Sequence, residues 1–193
     1  MPASISSSWK MYAKYRQYVS EDLEPVLRVP GATFVGLNSA HGVTRHTLTW
    51  RVRDISIIGA IGRSQIERAR EEFEGSPPDD ARVIVMHHNP VKGVLSGRHG
   101  LKDTRKVLGA FANMAVDLVL CGHDHQEAVH FIAHTQKGTV ISTAGTVSSR
   151  SRGGRPSSAN VITIRGEDIE VATLVWSAAE RTFTPGPSRC FDR

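Results

Sequence analysis

Continuous apolar runs alternate along the chain with stretches whose apolar positions recur at helical spacing. Thr33 to Leu37 is a short apolar run behind Pro30-Gly31 and predicts a strand, and Leu48 to Ile58 has room for one or two more. Ser64 to Glu74 predicts a helix with both ends marked. Ser64 with Glu67 three residues on forms a capping box, Gly75 follows the last turn, and Pro77-Pro78 forbid continuation. Arg82 to Met86 is a continuous β-branched run, the pattern of a strand covered on both faces. Asp103 is placed to cap a second helix in which Val107, Leu108, Phe111 and Met114 share one face, and Asp117 to Cys121 is again continuously apolar.

Strand, helix, strand, helix, strand between about Thr33 and Cys121 predicts βαβ units and a parallel sheet, hence an α/β fold. After His125 the pattern changes to short runs without helical spacing between them: Val129 to Ala133, Thr139 to Thr143, Asn160 to Ile164 and Ile169 to Trp176. These suit an antiparallel or mixed sheet. The first thirty residues, with Trp9, Met11, Tyr12, Tyr15 and Tyr18, predict a short amphipathic helix whose aromatics pack. Ser148 to Ser158, with three arginines, two glycines and a proline, predicts a surface loop.

Composition narrows the class without naming a function. At 193 residues, 39% hydrophobic and 22% charged, one folded domain over residues 1–193 is expected, not a disordered or fibrous chain. A net charge of +5 suits anionic ligands such as phosphates, but the arginines lack the interleaved stacking aromatics of a nucleic-acid module, so nucleic acid is not an expected partner. Two cysteines, Cys121 in an apolar run and Cys190 in a polar tail, are a poor disulfide framework and point to a reducing compartment. No stretch approaches the about 20 apolar residues of a membrane span, and the Ser-rich start lacks a signal-peptide core; a cytoplasmic location without membrane contact is expected.

The candidate chemistry lies in histidines at strand ends. His87 and His88 follow one buried run and His123 and His125 follow the other. Parallel strands place their carboxyl ends at one edge of the sheet, where ligands bind, so the two clusters are expected to converge. An extended His123-Asp124-His125 would send both imidazoles to one side and Asp124 to the other, with Gly122 permitting a sharp turn. Three convergent imidazoles are a reasonable ligand set for zinc, manganese or iron. His41, His46, His130 and His134 lack such partners.

Val83-Ile84-Val85-Met86-His87-His88-Asn89-Pro90 resembles the block of calcineurin-like metallophosphoesterases in which a strand ends in His-His-Pro-Pro. Leu118-Val119-Leu120-Cys121-Gly122-His123-Asp124-His125 resembles the Gly-His-x-His block that closes that family's metal site. The similarity spans about Thr33 to Trp176, and leans toward the bacterial branch with cyclic-nucleotide and glycerophosphodiester phosphodiesterases. It implies part of an αββα sandwich, mixed β-sheets flanked by helices, acting as a metal-dependent hydrolase of phosphate mono- or diesters. In the family two divalent transition ions, manganese, iron or zinc, activate the attacking water.

Carried over by position, the resemblance puts His87 and His123 on the second metal and His125 on the first. His88 is not a family ligand; support of a metal ligand from behind, or a substrate-side role, stands beside plain packing. Arg150 and Arg152, in the loop after Ala144-Gly145-Thr146, are candidates for holding substrate phosphate, because guanidinium pairs with phosphate oxygens. The family's Asp-x-His, Gly-Asp and Gly-Asn-His-Asp blocks do not occur in this sequence, and Gly36-Leu37-Asn38 is a poor substitute. The expectation is therefore an N-terminally truncated domain, its missing half a partner, holding one ion and weak or inactive alone. The alternative is a non-enzymatic relic that binds a metal or a protein.

Overall fold

A computed structural model describes residues 12–40, 58–93, 97, 100–134, 137–148 and 153–193. Among the described residues nine strands, β1 (Val26–Val29), β2 (Ala32–Leu37), β3 (Ala81–His88), β4 (Leu118–Gly122), β5 (Ala128–Ile132), β6 (Thr139–Thr143), β7 (Ser158–Ile164), β8 (Asp168–Ser177) and β9 (Thr182–Asp192), form two sheets. The larger has the order β1-β2-β3-β4-β6-β5; its four inner strands are parallel and each edge strand is antiparallel to its neighbour. The smaller is an antiparallel β7-β8-β9 meander. The helices are α1 (Ala13–Tyr18), α2 (Arg63–Glu74) and α3 (Thr104–Asn113).

The continuous apolar runs behave as such runs must, filling both faces of the central strands. On one face Val35, Ile84, Met86, Val119 and Ile141 pack against Ala69 and Phe73 of α2 and Val107 and Phe111 of α3. On the other, Ala81, Val83, Leu118 and Val140 pack against Ile169, Val171 and Phe191 of the smaller sheet. The protein is thus an α/β fold with a mixed sheet between a helical layer and a second sheet. Among the described residues no helix covers the outer face of the second sheet, and none is long and apolar enough to cross a membrane.

Several elements depart from the sequence expectation. The α2 helix begins at Arg63, with Gly62 in the extended N-cap conformation and the Gln65 side-chain oxygen accepting the Gly62 N–H at 2.7 Å. Ser64 lies inside the first turn, so the expected Ser64/Glu67 capping box does not form. Asp103 sits at the N-cap of α3 in left-handed geometry but makes no side-chain cap bond. The N-terminal helix has six residues and buries none of them; Tyr18 is exposed, whereas the Tyr12 hydroxyl reaches Asn38 Oδ1 at 3.2 Å. Two strands lacked a sequence signal. β1 is short and three-quarters exposed, and β9 contains Pro185 and Pro187, which only an edge strand tolerates. Most of the Leu48–Ile58 stretch, together with Trp9, Met11, His41 and His46, lies outside the described residues.

Candidate metal centre

Parallel pairing of β2, β3 and β4 brings three strand ends to one edge: Leu37 leads into Asn38-Ser39, β3 ends in His87-His88, and β4 ends at Gly122 before His123. Successive side chains on a strand point to opposite faces, so neighbouring His87 and His88 would ordinarily be held apart. The β3–β4 register breaks that alternation. Val85 pairs with Leu120, whereas His88 pairs with Gly122, so β3 carries one extra residue over that interval. The resulting bulge re-aims the side chains at the strand end. The His87 and His88 ring centroids are 4.7 Å apart, and they lie 5.2 Å and 4.6 Å from that of His123.

One ligand atom from each of these three imidazoles lies within 4.8 Å of the other two. His123 Nδ1 and His87 Nε2 are 3.3 Å apart. Two nitrogens each about 2.0–2.1 Å from one zinc ion at a tetrahedral angle are separated by about 3.3–3.4 Å, so this pair already spans one edge of a coordination shell. The donor set suits zinc or another borderline transition ion. His87 is exposed, His123 half-buried and His88 buried. Partial desolvation of the exposed ring by its neighbours, and secondarily the charge of nearby His125, hold the His87 imidazole below its ordinary value of 6.5, which favours the neutral form that ligates a cation.

The segment after β4 is not extended. His123 has φ +76° and His125 φ +55°, and the Asp124 N–H donates to Gly122 O at 3.0 Å, a tight turn instead of a continuing strand. Asp124 is buried, and its carboxylate accepts a hydrogen bond from the Asn89 side-chain amide. This bond ties the loop after β3 to the loop after β4. The left-handed residues are the histidines, not Gly122, where an added Cβ would meet only His87 O at 3.8 Å. Left-handed geometry at a non-glycine residue is costly and tends to be held at functional sites.

His125 therefore lies on the exposed side of this turn, outside the triplet but close enough to His87 to act on its charge. His88 lies inside the triplet. Arg150 and Arg152 fall outside the described residues. His134 Nε2 contacts Thr139 Oγ1 at 3.3 Å, away from the cluster.

Sequence reasoning missed the residues that hold the rings. Ser39 Oγ lies 2.9 Å from His88 Nδ1 and accepts the His88 backbone N–H at 3.1 Å. Gly59 faces the same ring so closely that a Cβ there would sit 2.2 Å from His88 Nδ1, and a Cβ on Gly100 would sit 3.1 Å from His123 Cδ2. A mutual bridge joins these segments: Gly59 N–H donates to Gly100 O, and Lys102 N–H to Gly59 O, both at 2.8 Å. The available signal was the parallel pairing of β2, which puts Asn38-Ser39 at the same edge as the histidines. A cavity of about 430 Å³ opens beside His87, walled by Tyr12, Tyr15, Phe34, Val85 and Met86.

No family model and no curated protein matches the chain. Among solved structures it is similar to Vps29 from Chaetomium thermophilum, at 7% identity and a TM-score of 0.40, covering 89% of this chain and 61% of that one. It is similar to a Zn-complexed Vps29 from Entamoeba histolytica at 9% identity and a TM-score of 0.35, covering 88% and 59%. A predicted phosphoesterase from Streptococcus pneumoniae is similar at 13% identity and a TM-score of 0.36, covering 83% and 97%. The chain thus spans about three fifths of the length of the two Vps29 proteins. Likenesses this distant identify neither a family nor an activity.

Proposed function

We propose that this chain carries part of a metal-dependent phosphoesterase site, in which His87 and His123 bind a common divalent transition ion. The 3.3 Å approach of His123 Nδ1 to His87 Nε2 is the observation on which this rests. Without a cation, two imidazole nitrogens at that distance need one proton between them; a shared ion satisfies both lone pairs at once. The two sequence blocks that resemble calcineurin-like metallophosphoesterases supply these same residues. When bound, such an ion lowers the pKa of water and offsets charge on a phosphate ester. The residues of this chain then have separate duties. His87 and His123 hold and orient the ion, Asp124 and Asn89 fix the turn that presents His123, and His125 stands on the exposed side, where a second ion or the ester would approach. Arg150 and Arg152 are proposed to bind the phosphate.

A second reading is favoured by one observation. Among the described residues the only cation-sized group is three imidazoles without a carboxylate, which suits metal holding better than water activation. A non-hydrolytic metal- or protein-binding relative is the result. Zinc and manganese titrations by calorimetry, paired with hydrolysis of bis-p-nitrophenyl phosphate, separate the two. The hydrolase reading expects metal-dependent turnover that is weak in the isolated chain and abolished in His87→Ala and His123→Ala. Metal binding without any turnover would favour the second reading, and failure of both single variants to weaken metal binding would remove both.

A further inference from the structure

We propose that the cavity beside His87 seats the organic group of the phosphate ester, and that it selects an apolar, ring-sized group over a glycerol or a ribose. The inference rests on the reading that His87 and His123 hold a cation, and it adds a substrate class to that reading.

The cavity lies where burial under the second sheet fades. Val83 and Val85 are two apart on β3 and therefore face the same side. Val83 is fully buried in the cluster that includes Ile169, Val171 and Phe191, whereas Val85 is 39% exposed. Leu27 on the edge strand β1 is exposed as well. The hollow left at this end of the sheet has about 430 Å³ and is walled by Leu27, Phe34, Val85 and Met86 together with Tyr12 and Tyr15. His87 belongs to the same wall. An ion shared by His87 and His123 touches a residue of this wall, so an ester held by that ion has its organic group beside the hollow.

The chemistry of the wall decides the class of that group. Among the described residues no carboxylate, lysine or arginine lines the cavity. Polar side chains at its rim serve the chain itself. The Tyr12 hydroxyl donates to Asn38 Oδ1 at 3.2 Å, the Ala40 N–H donates to the same oxygen at 3.1 Å, and Ser39 Oγ accepts the His88 N–H at 3.1 Å. The vicinal hydroxyls of glycerol or ribose would exchange water for a wall that offers them few partners, which is costly. An apolar ring gives up no hydrogen bonds there and gains the removal of its surface from water. Ligand cavities run from about 300 to 1,000 Å³, and one at the small end suits one or two fused rings, not a dinucleotide. On this reading the substrate departs from the glycerol and cyclic-nucleotide esters of the branch toward which the sequence leans.

Phosphonates have a carbon–phosphorus bond in place of the ester and test the selection without turnover. Calorimetric titration of the zinc-loaded chain should show 1-naphthylphosphonate binding about 10–100-fold more tightly than methylphosphonate or 3,4-dihydroxybutylphosphonate. Leu27→Gln/Val85→Thr puts polar atoms at two exposed wall positions with little change of size, and should lose most of that preference at unchanged zinc affinity. Equal binding of the three compounds overturns the proposal, as does a preference that survives the double variant. 1-Naphthol, which carries no phosphorus, probes the hollow in the metal-free, ¹⁵N-labelled wild-type chain, where it should shift the amide resonances of Leu27, Val85 and His87. Absence of those shifts means a hollow closed to solutes or already filled, and also overturns the proposal. A chain that binds zinc without preferring the naphthyl compound refutes this proposal alone. One that takes 1-naphthol at these residues but binds no zinc supports the apolar seat and refutes the metal reading instead.

Discussion

Replacing Gly59 by alanine perturbs the candidate site through one methyl group. An added Cβ would lie 2.2 Å from Nδ1 and 2.4 Å from Cγ of His88, and 2.8 Å from Ser39 O. Ordinary contact begins at 3.4 Å, so the ring would have to retreat by about 1.2 Å, or the Gly59 backbone would have to move and strain its two 2.8 Å bonds to the segment at Gly100–Lys102. Overpacking of a filled site costs about 1–3 kcal/mol. For a chain of this size that lowers the melting temperature by about 2–12 °C. The displacement also exceeds the about 0.2 Å tolerance of a metal–nitrogen bond several-fold, so His88 would drop out of a ligand set and zinc affinity would fall. Differential scanning calorimetry and zinc titration read the two effects. Gly109→Ala is the control: that glycine lies inside α3 with nothing within 4 Å of its added Cβ, and the substitution should stabilise by up to about 1 kcal/mol. Gly59→Ala with unchanged melting and unchanged zinc affinity would refute the packing argument, because the His88 ring and Ser39 O together leave no room for a Cβ at Gly59.

Two further outcomes test the surrounding fold. Ala115 ends α3 at φ +50°, with Val116 N–H donating to Phe111 O at 3.0 Å and Ala115 N–H to Ala112 O at 2.9 Å, a termination that favours glycine. Ala115→Gly should therefore stabilise the fold by about 0.5–1 kcal/mol once the strain relieved is set against the extra freedom of the unfolded chain, read as a higher urea midpoint; a lower midpoint would contradict the assignment. Cys121 is buried on β4, and burial pushes its thiol up to about 12. Near pH 9 only about one in a thousand of these thiols is ionised, so Ellman's reagent should titrate exposed Cys190 alone in the native chain and both cysteines in guanidinium. Comparable reaction of both thiols in the native state would show that β4 opens readily.

The central sheet was legible in the sequence because its inner strands are covered on both faces. Burial on two sides demands continuous apolar runs, and Arg82 to Met86 and Asp117 to Cys121 supply them; the helices between carry one apolar face each, and the first of them a glycine and proline stop. The edges were not legible. β1 is mostly exposed and β9 is broken by prolines, so neither bears the pattern that burial imposes. Helix starts shifted for a related reason: a cap depends on which side chain can turn back to the first N–H groups, and Gln65 did so where Ser64 was the stronger sequence signal.

The sequence by itself determined that His87 and His88 on one strand and His123 on another reach the same edge of a parallel sheet, since strand direction follows from the helical crossovers between them. Only the tertiary structure decided which rings meet. A one-residue bulge, set by the pairing of β3 with β4, gathers His87 and His88 beside His123, and a turn held by the Asn89–Asp124 hydrogen bond leaves His125 on the outer side. Ser39 and Gly59 come to His88 from far along the chain, 49 and 29 residues upstream. Such contacts depend on register and on close approach of backbones, and neither is written in the periodicity of hydrophobic residues.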